Sequence, residues 1–135
     1  MADRKPDRQS EHDAAVAGLA SIYRDRDFSQ WANPDGERNE EFGGRYPDVI
    51  VKSKEGGGYY LFEVETEDSV RDDEAYSQWL DYDSVWTVGW YLAVPAHMEA
   101  EAKRLCAARG IKHCQTKTWK RDDSGTFTFW DLPEL

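Results

Sequence analysis

Long apolar runs are missing from this chain. No stretch of uncharged residues approaches the roughly 20 needed to span a bilayer, and the opening MADRKPDRQS has none of the apolar core of a signal peptide. The expectation is a cytoplasmic protein with no membrane partner. Cysteine is scarce as well. Cys106 and Cys114 are the only two, and their spacing fits neither a CxxC redox pair nor a zinc knuckle, so both are expected to be reduced, small, near-core residues. Positive charge is in deficit, with 17 basic residues against 27 acidic ones and a net charge of −10. That balance weighs against a broad basic face for a phosphate backbone. It leaves two uses for the acids, solvating the outer surface or clustering around a divalent cation. His12, His97 and His113 show no ligand spacing and receive no catalytic part. Gly56-Gly57-Gly58 is a turn and not a phosphate loop, because no helix opening with Lys-Ser or Lys-Thr follows it.

What is present fits one domain. A chain of 135 residues, 39% apolar, can bury a modest core and has no room for a second one. Residues 1–9 are polar and are expected to form a mobile tail, with a single domain over 10–135. Ser10 supplies an N-cap for a helix over 10–23, whose apolar stripe is Ala15, Val16, Leu19, Ile22 and Tyr23. Glu11 lies in line with Ala15, Gly18 and Ile22, which predicts that it sits at the inward end of that stripe. Residues 27–45 read as a short strand and a loop, with a turn at Asn33-Pro34-Asp35-Gly36. Residues 48–51 and 59–65 are β-formers joined by a turn at Lys54-Glu55-Gly56-Gly57-Gly58. A second helix is predicted over 68–85, an apolar central strand over 88–94, a well-capped helix over 96–109, and a hairpin over 111–130. The fold class is therefore α/β in the order α-β-β-β-α-β-α-β-β. Its sheet must be mixed, because a strand-helix-strand crossover makes its two strands parallel. The six tryptophans suit a core and also a self-association surface, so a homodimer is one expectation.

The chemistry-bearing pattern lies in the first hairpin. Alternation puts Glu63 and Glu65 on one face of their strand, about 7 Å apart. If the hairpin closes around residues 53–58, Lys52 opposes Tyr59 and Asp48 opposes Glu63, so three carboxylates converge. Such a cluster is costly unless a cation answers it. Mg²⁺, or Mn²⁺ in its place, commonly takes one or two carboxylates and completes its shell with water and phosphate oxygens.

Pro47-Asp48, fourteen intervening residues, then Glu63-Val64-Glu65 resembles the PD-(D/E)xK signature of restriction-endonuclease-like nucleases. Glu65 stands where most of that family has lysine, although some restriction enzymes carry glutamate there and still cleave. Glu11 matches the first-helix glutamate that many members place near the metal. Gln78-Trp79-Leu80-Asp81-Tyr82 resembles the QxxxY element of recombination helicase-nucleases, with Gln78 and Tyr82 on one helix face. The resemblance covers roughly residues 10–110. It implies a restriction-endonuclease-like fold and a Mg-dependent phosphodiesterase of the endonuclease type acting on DNA. It further implies Asp48, Glu63 and Glu65 as catalytic residues, Asp48, Glu63 and Glu11 as metal ligands, and Gln78, Tyr82 and Lys52 toward the substrate.

Plainer readings stand beside these. Glu11 reads equally as an acid at a helix start, and Gln78 and Tyr82 as residues bordering the core. Lys52 is either a turn-flanking residue or the positive charge missing at Glu65. Glu67, Asp68, Asp72, Asp73 and Glu74 read as a solvated helix start. The rival to an enzyme is a catalytically inactive nuclease-fold module for protein or nucleic-acid binding or dimerisation, which the acidic balance and the missing lysine favour.

Overall fold

A computed structural model describes residues 4–34, 37–54 and 57–134. Parts of two expected turns, at Asp35-Gly36 and Glu55-Gly56, lie outside the described residues, as do residues 1–3 of the expected tail. The first helix, α1 (Pro6–Asp25), begins earlier than Ser10 would cap it. Proline at N1 explains the start, since its fixed φ suits a helix and its missing N–H would have no intrahelical partner there. Ser10 becomes an interior residue, and residues 6–9 of the expected tail are helical.

Six strands follow: β1 (Gln30–Ala32), β2 (Val49–Lys52), β3 (Tyr59–Val64), β4 (Trp90–Pro95), β5 (Cys114–Arg121) and β6 (Phe127–Trp130). They form one mixed sheet in chain order. The pairs β1–β2, β2–β3 and β5–β6 are antiparallel, while β3–β4 and β4–β5 are parallel. The two parallel pairs are the two joined through helices, as crossover geometry requires.

The expected element order is not matched at the second helix, which is broken into pieces. A 3₁₀ turn (Glu67–Ser69), α2 (Asp72–Glu74), a π-helical turn (Ala75–Trp79) and α3 (Leu80–Val85) succeed one another. Periodicity predicted a helix there because Ala75, Trp79 and Tyr82 keep near-helical spacing through the π turn. A second 3₁₀ turn (Ala96–Met98) precedes α4 (Glu99–Ala108). Val88 lies outside β4 and is 80% exposed, so the central strand starts later than its apolar run.

Alternation along the strands feeds two cores. On one face Val49, Val51, Phe62 and Val64 pack with Ala15, Val16, Leu19 and Tyr23 of α1. On the other, Ile50, Leu61, Leu92 and Val94 pack with Trp79, Trp86, Trp90 and Leu105. Trp79, Trp86 and Trp90 are thus core residues, while Trp130 at the end of β6 is exposed. Cys106 and Cys114 are free thiols, half-buried against the second core. Among the described residues no helix is long and apolar enough to cross a membrane.

The loop before β2 is shaped by Gly43 and Gly44, both at positive φ, 63° and 76°. A Cβ on Gly43 would lie 2.8 Å from Val85 Cγ1, whereas one on Gly44 meets nothing within 4 Å. Left-handed backbone alone costs an ordinary residue about 1–2 kcal/mol. Gly44→Ala should lose about that much in urea unfolding, and Gly43→Ala clearly more, because it adds a clash with α3. Equal losses would show that the contact with Val85 gives way freely.

Candidate active site

The β2–β3 register pairs Lys52 with Tyr59 and Val49 with Phe62. Extended by one residue, it sets Asp48 opposite Glu63, as the hairpin spacing predicts. The Asp48 backbone N–H donates to Glu63 Oε1 at 3.2 Å, and the Val64 N–H donates to Asp48 Oδ2 at 2.7 Å. Glu65 follows β3 directly, and its N–H donates to the Ala93 carbonyl at 2.9 Å, which continues the parallel ladder past the strand. All three acids are buried, at 8%, 6% and 2% exposure, and all three line one cleft of about 510 Å³.

Two side chains from the N-terminal segment answer these acids. His12, on α1, places Nε2 3.1 Å from Asp48 Oδ2 and Nδ1 3.0 Å from Asp13 Oδ1. Arg4, just ahead of the helix, donates from Nη2 to Glu65 Oε2 at 3.3 Å and to the Val64 carbonyl at 3.2 Å, and from Nε to Thr66 Oγ1 at 3.1 Å. The Trp79 indole N–H approaches the other Glu65 oxygen at 3.4 Å.

Electrostatics sorts the acids. Burial pushes the Asp48 carboxyl up, but the His12 charge and the bonds from His12 and Val64 outweigh it, and Asp48 ionises below its ordinary range. Burial likewise opposes charge on His12, yet the Asp48 carboxylate raises its pKa. Burial, then the charges of Asp48 and Glu65, drive Glu63 well above the usual carboxylate range. Burial also raises Glu65, against the pull of Arg4. The cluster thus contains a hydrogen-bonded Asp48–His12 pair, a Glu65–Arg4 ion pair, and a carboxyl at Glu63 whose ionisation is opposed by burial and by its neighbours.

Gln78 and Tyr82 line the same cleft, from the π turn and α3. The Tyr82 hydroxyl donates to Gln78 Oε1 at 3.1 Å, and its ring stacks on Trp86 at 4.6 Å. Arg38, Arg45 and Tyr46 contribute from the loop ahead of β2. Arg45 forks onto Asp81 at 2.7 and 2.9 Å, and Arg38 lies over the Tyr46 ring.

Two expected members are elsewhere. Glu11 pairs with Arg8 at 3.0 Å and lines a separate cavity with Glu67 and His97, so it is not brought to the acids. The α1 stripe that is buried runs through His12, Ala15, Val16, Leu19 and Tyr23, one residue round from the line through Glu11. Lys52 shares Asp48's face, but it is exposed at the far end of β2, four residues and roughly 13 Å along the strand. Glu74, expected among solvated acids, is buried at 3% exposure.

Asp48 and Glu63 offer hard oxygens at the cleft, but among the described residues no group of three or more His, Cys, Asp or Glu side chains is placed to hold a metal ion. Mg²⁺ commonly takes one or two carboxylates, with its remaining ligands from water and substrate. No family model matches the chain, and no curated protein matches it.

Glu74 adds a titration of its own. Its Oε2 has no hydrogen-bond partner among the described residues, and burial, then the Glu65 charge, push its carboxyl up to about 7. A carboxyl raised in the folded state above its value of 4.5 costs stability as pH rises from the unfolded value through the folded one. Glu74→Gln, which cannot ionise, should therefore gain on the wild type by about 1–3 kcal/mol between pH 5 and pH 8. Parallel stability curves for the two proteins over that window would show that Glu74 ionises freely.

Proposed function

We propose that this chain is a metal-dependent phosphodiesterase of the PD-(D/E)xK, restriction-endonuclease-like type, acting endonucleolytically on DNA. The observation that carries the reading is the register that opposes Asp48 and Glu63 at a cleft, with Glu65 next on the same face. The reading is supported further by what surrounds the signature: a helix, an antiparallel β1–β2–β3 unit and a helical crossover to a parallel β4.

Asp48 and Glu63 would hold Mg²⁺ or Mn²⁺. When bound, such an ion polarises a scissile phosphate and lowers the pKa of the attacking water. The chain's own residues do the rest. His12 keeps Asp48 ionised and oriented, and Val64 N–H fixes its Oδ2. Glu65 stands beside them to orient that water, with Arg4 and Trp79 restricting its carboxylate. Gln78 and Tyr82 present a polar, aromatic wall to a nucleotide, and Arg38 and Arg45 on the loop side answer neighbouring phosphates. The deficit of basic residues is thereby met locally, since Arg4, Arg38 and Arg45 all line this one cleft.

A second reading is a catalytically inactive nuclease-fold module for nucleic-acid or protein binding, with dimerisation through its exposed aromatics. Its support is specific: Glu65 replaces the motif lysine, and Asp48 and Glu65 already have cationic partners in His12 and Arg4.

Pure protein incubated with single- and double-stranded DNA in Mg²⁺ or Mn²⁺ separates the two. Cleavage that falls more than about a hundredfold in Asp48→Asn supports the enzyme, and DNA retained without cleavage supports the module. Melting curves at matched ionic strength supply an independent check. Mn²⁺ at a hundredfold excess over its Kd should raise the wild-type Tm by roughly 5–10 °C. Glu63→Gln should raise the metal-free Tm, because it removes a carboxyl whose ionisation is opposed by burial, and should lose the Mn²⁺ increment. Asp48→Asn should lower the metal-free Tm by breaking the His12 pair and lose the increment too. An undiminished increment in both variants would place any metal site elsewhere.

A further inference from the structure

Arg4 stands out among the cations of the cleft. Its side chain is 3% exposed, against 2% for Glu65, so this ion pair is almost wholly withdrawn from bulk water. The guanidinium is held from three directions, by Glu65 Oε2, the Val64 carbonyl and Thr66 Oγ1. Those bonds use Nε and Nη2, and Nη1 donates to no described residue. An arginine carries five N–H donors, so this one retains donors beyond those that Glu65, Val64 and Thr66 take up. It also lines the cleft beside Asp48 and Glu63.

The other cations are less free or less near. Arg45 is forked onto Asp81, Arg38 lies over Tyr46, and Lys52 is at the far end of β2. His12 is engaged on both ring nitrogens by Asp48 and Asp13.

We propose that Arg4 is a phosphate-binding residue of the cleft: Glu65, Val64 and Thr66 fix its plane, and Nη1 receives the phosphodiester of a nucleic-acid strand. This rests on the phosphodiesterase reading for its substrate class but not for its test. A fixed guanidinium needs no reorganisation when the anion arrives, and a charge-assisted bond in a water-poor cleft is stronger than one on the surface. The same charge lies in the cleft beside Asp48 and Glu63, the carboxylates that would hold a divalent cation. Arg4 therefore has opposite effects on the two ligands of the site. It attracts the phosphate strand and repels the divalent cation.

That opposition is the experiment. Binding of a short single-stranded DNA is measured in Ca²⁺ at fixed ionic strength, and Mn²⁺ affinity is measured separately by thermal shift without DNA. Arg4→Gln should weaken the oligonucleotide about 10- to 100-fold while tightening Mn²⁺. Arg4→Lys, which keeps the charge, should restore most of the binding. Loss of both affinities, or of neither, overturns the assignment. Should Arg4→Gln fail to fold, Glu65→Gln tests the same point with Arg4 retained, and must tighten the oligonucleotide and weaken Mn²⁺. Unchanged oligonucleotide binding there also overturns it. A wild-type protein without a Mn²⁺ increment, but with Arg4-dependent DNA binding, would remove the phosphodiesterase reading and leave Arg4 assigned. An increment lost in Asp48→Asn, with DNA binding indifferent to Arg4, would do the reverse.

Discussion

The structure turns on placing four carboxylates, those of Asp48, Glu63, Glu65 and Glu74, out of water around one end of β3. An uncompensated buried charge costs several kcal/mol, a large part of a small domain's net stability. Here the compensation comes from the start of the chain. Arg4 meets Glu65 and His12 meets Asp48, so the N-terminal segment is held to the sheet by charge as well as by the apolar stripe of α1. The indole N–H of Trp119 reaches the Glu65 carbonyl at 3.2 Å, and that of Trp79 reaches its carboxylate. Both cores therefore contribute a side chain to the same residue.

Topology explains why the cluster forms at this edge. β3, β4 and β5 run parallel, and the acids lie at or just beyond the carboxyl end of β3, where open α/β sheets leave a crevice for ligands. β2 runs antiparallel to β3, so the residue that enters β2 is the one that faces the end of β3, and this brings Asp48 to Glu63. The loop ahead of β2 then passes over the opening and contributes Arg38, Arg45 and Tyr46. A hairpin register and one helical crossover thus assemble the cleft without any residue coming from beyond α3.

Much of this was legible in the sequence because it depends on period and spacing. The β2–β3 register followed from the length between Asp48 and Glu63, the parallel β3–β4 pair from the intervening helix, and the burial of Ala15, Val16, Leu19 and Tyr23 from a 3.6-residue repeat. What escaped was long-range or turned on a single residue of phase. His12 extends the buried repeat one turn ahead of Ala15 and Val16, a signal that was present but was assigned to Glu11, 100° round the helix. Arg4 carries no periodic signal at all, since its partner is 61 residues away. Glu74 looked like one of several acids at a helix start. The π turn after it, over Ala75–Trp79, shifts helical phase, so regular spacing could not report which of those acids faces inward.

Net charge says little about the cleft for a related reason. A total of −10 describes the far field, which screening reduces within about 8–10 Å at ordinary ionic strength. The near field of the cleft is set by neighbours at 3 Å, and there Arg4, His12, Arg38 and Arg45 stand against Asp48, Glu63, Glu65 and Glu37. Counted by sign, that lining is close to balanced, within a chain that is strongly acidic as a whole. A polyanion approaching such a protein is repelled at long range, so any complement to it acts only on contact. On the proposed reading, the acids elsewhere would oppose promiscuous phosphate binding without weakening the cleft. A surplus of surface acid and the proposed phosphate-directed cleft are therefore compatible, because solvent screens the first and burial preserves the second.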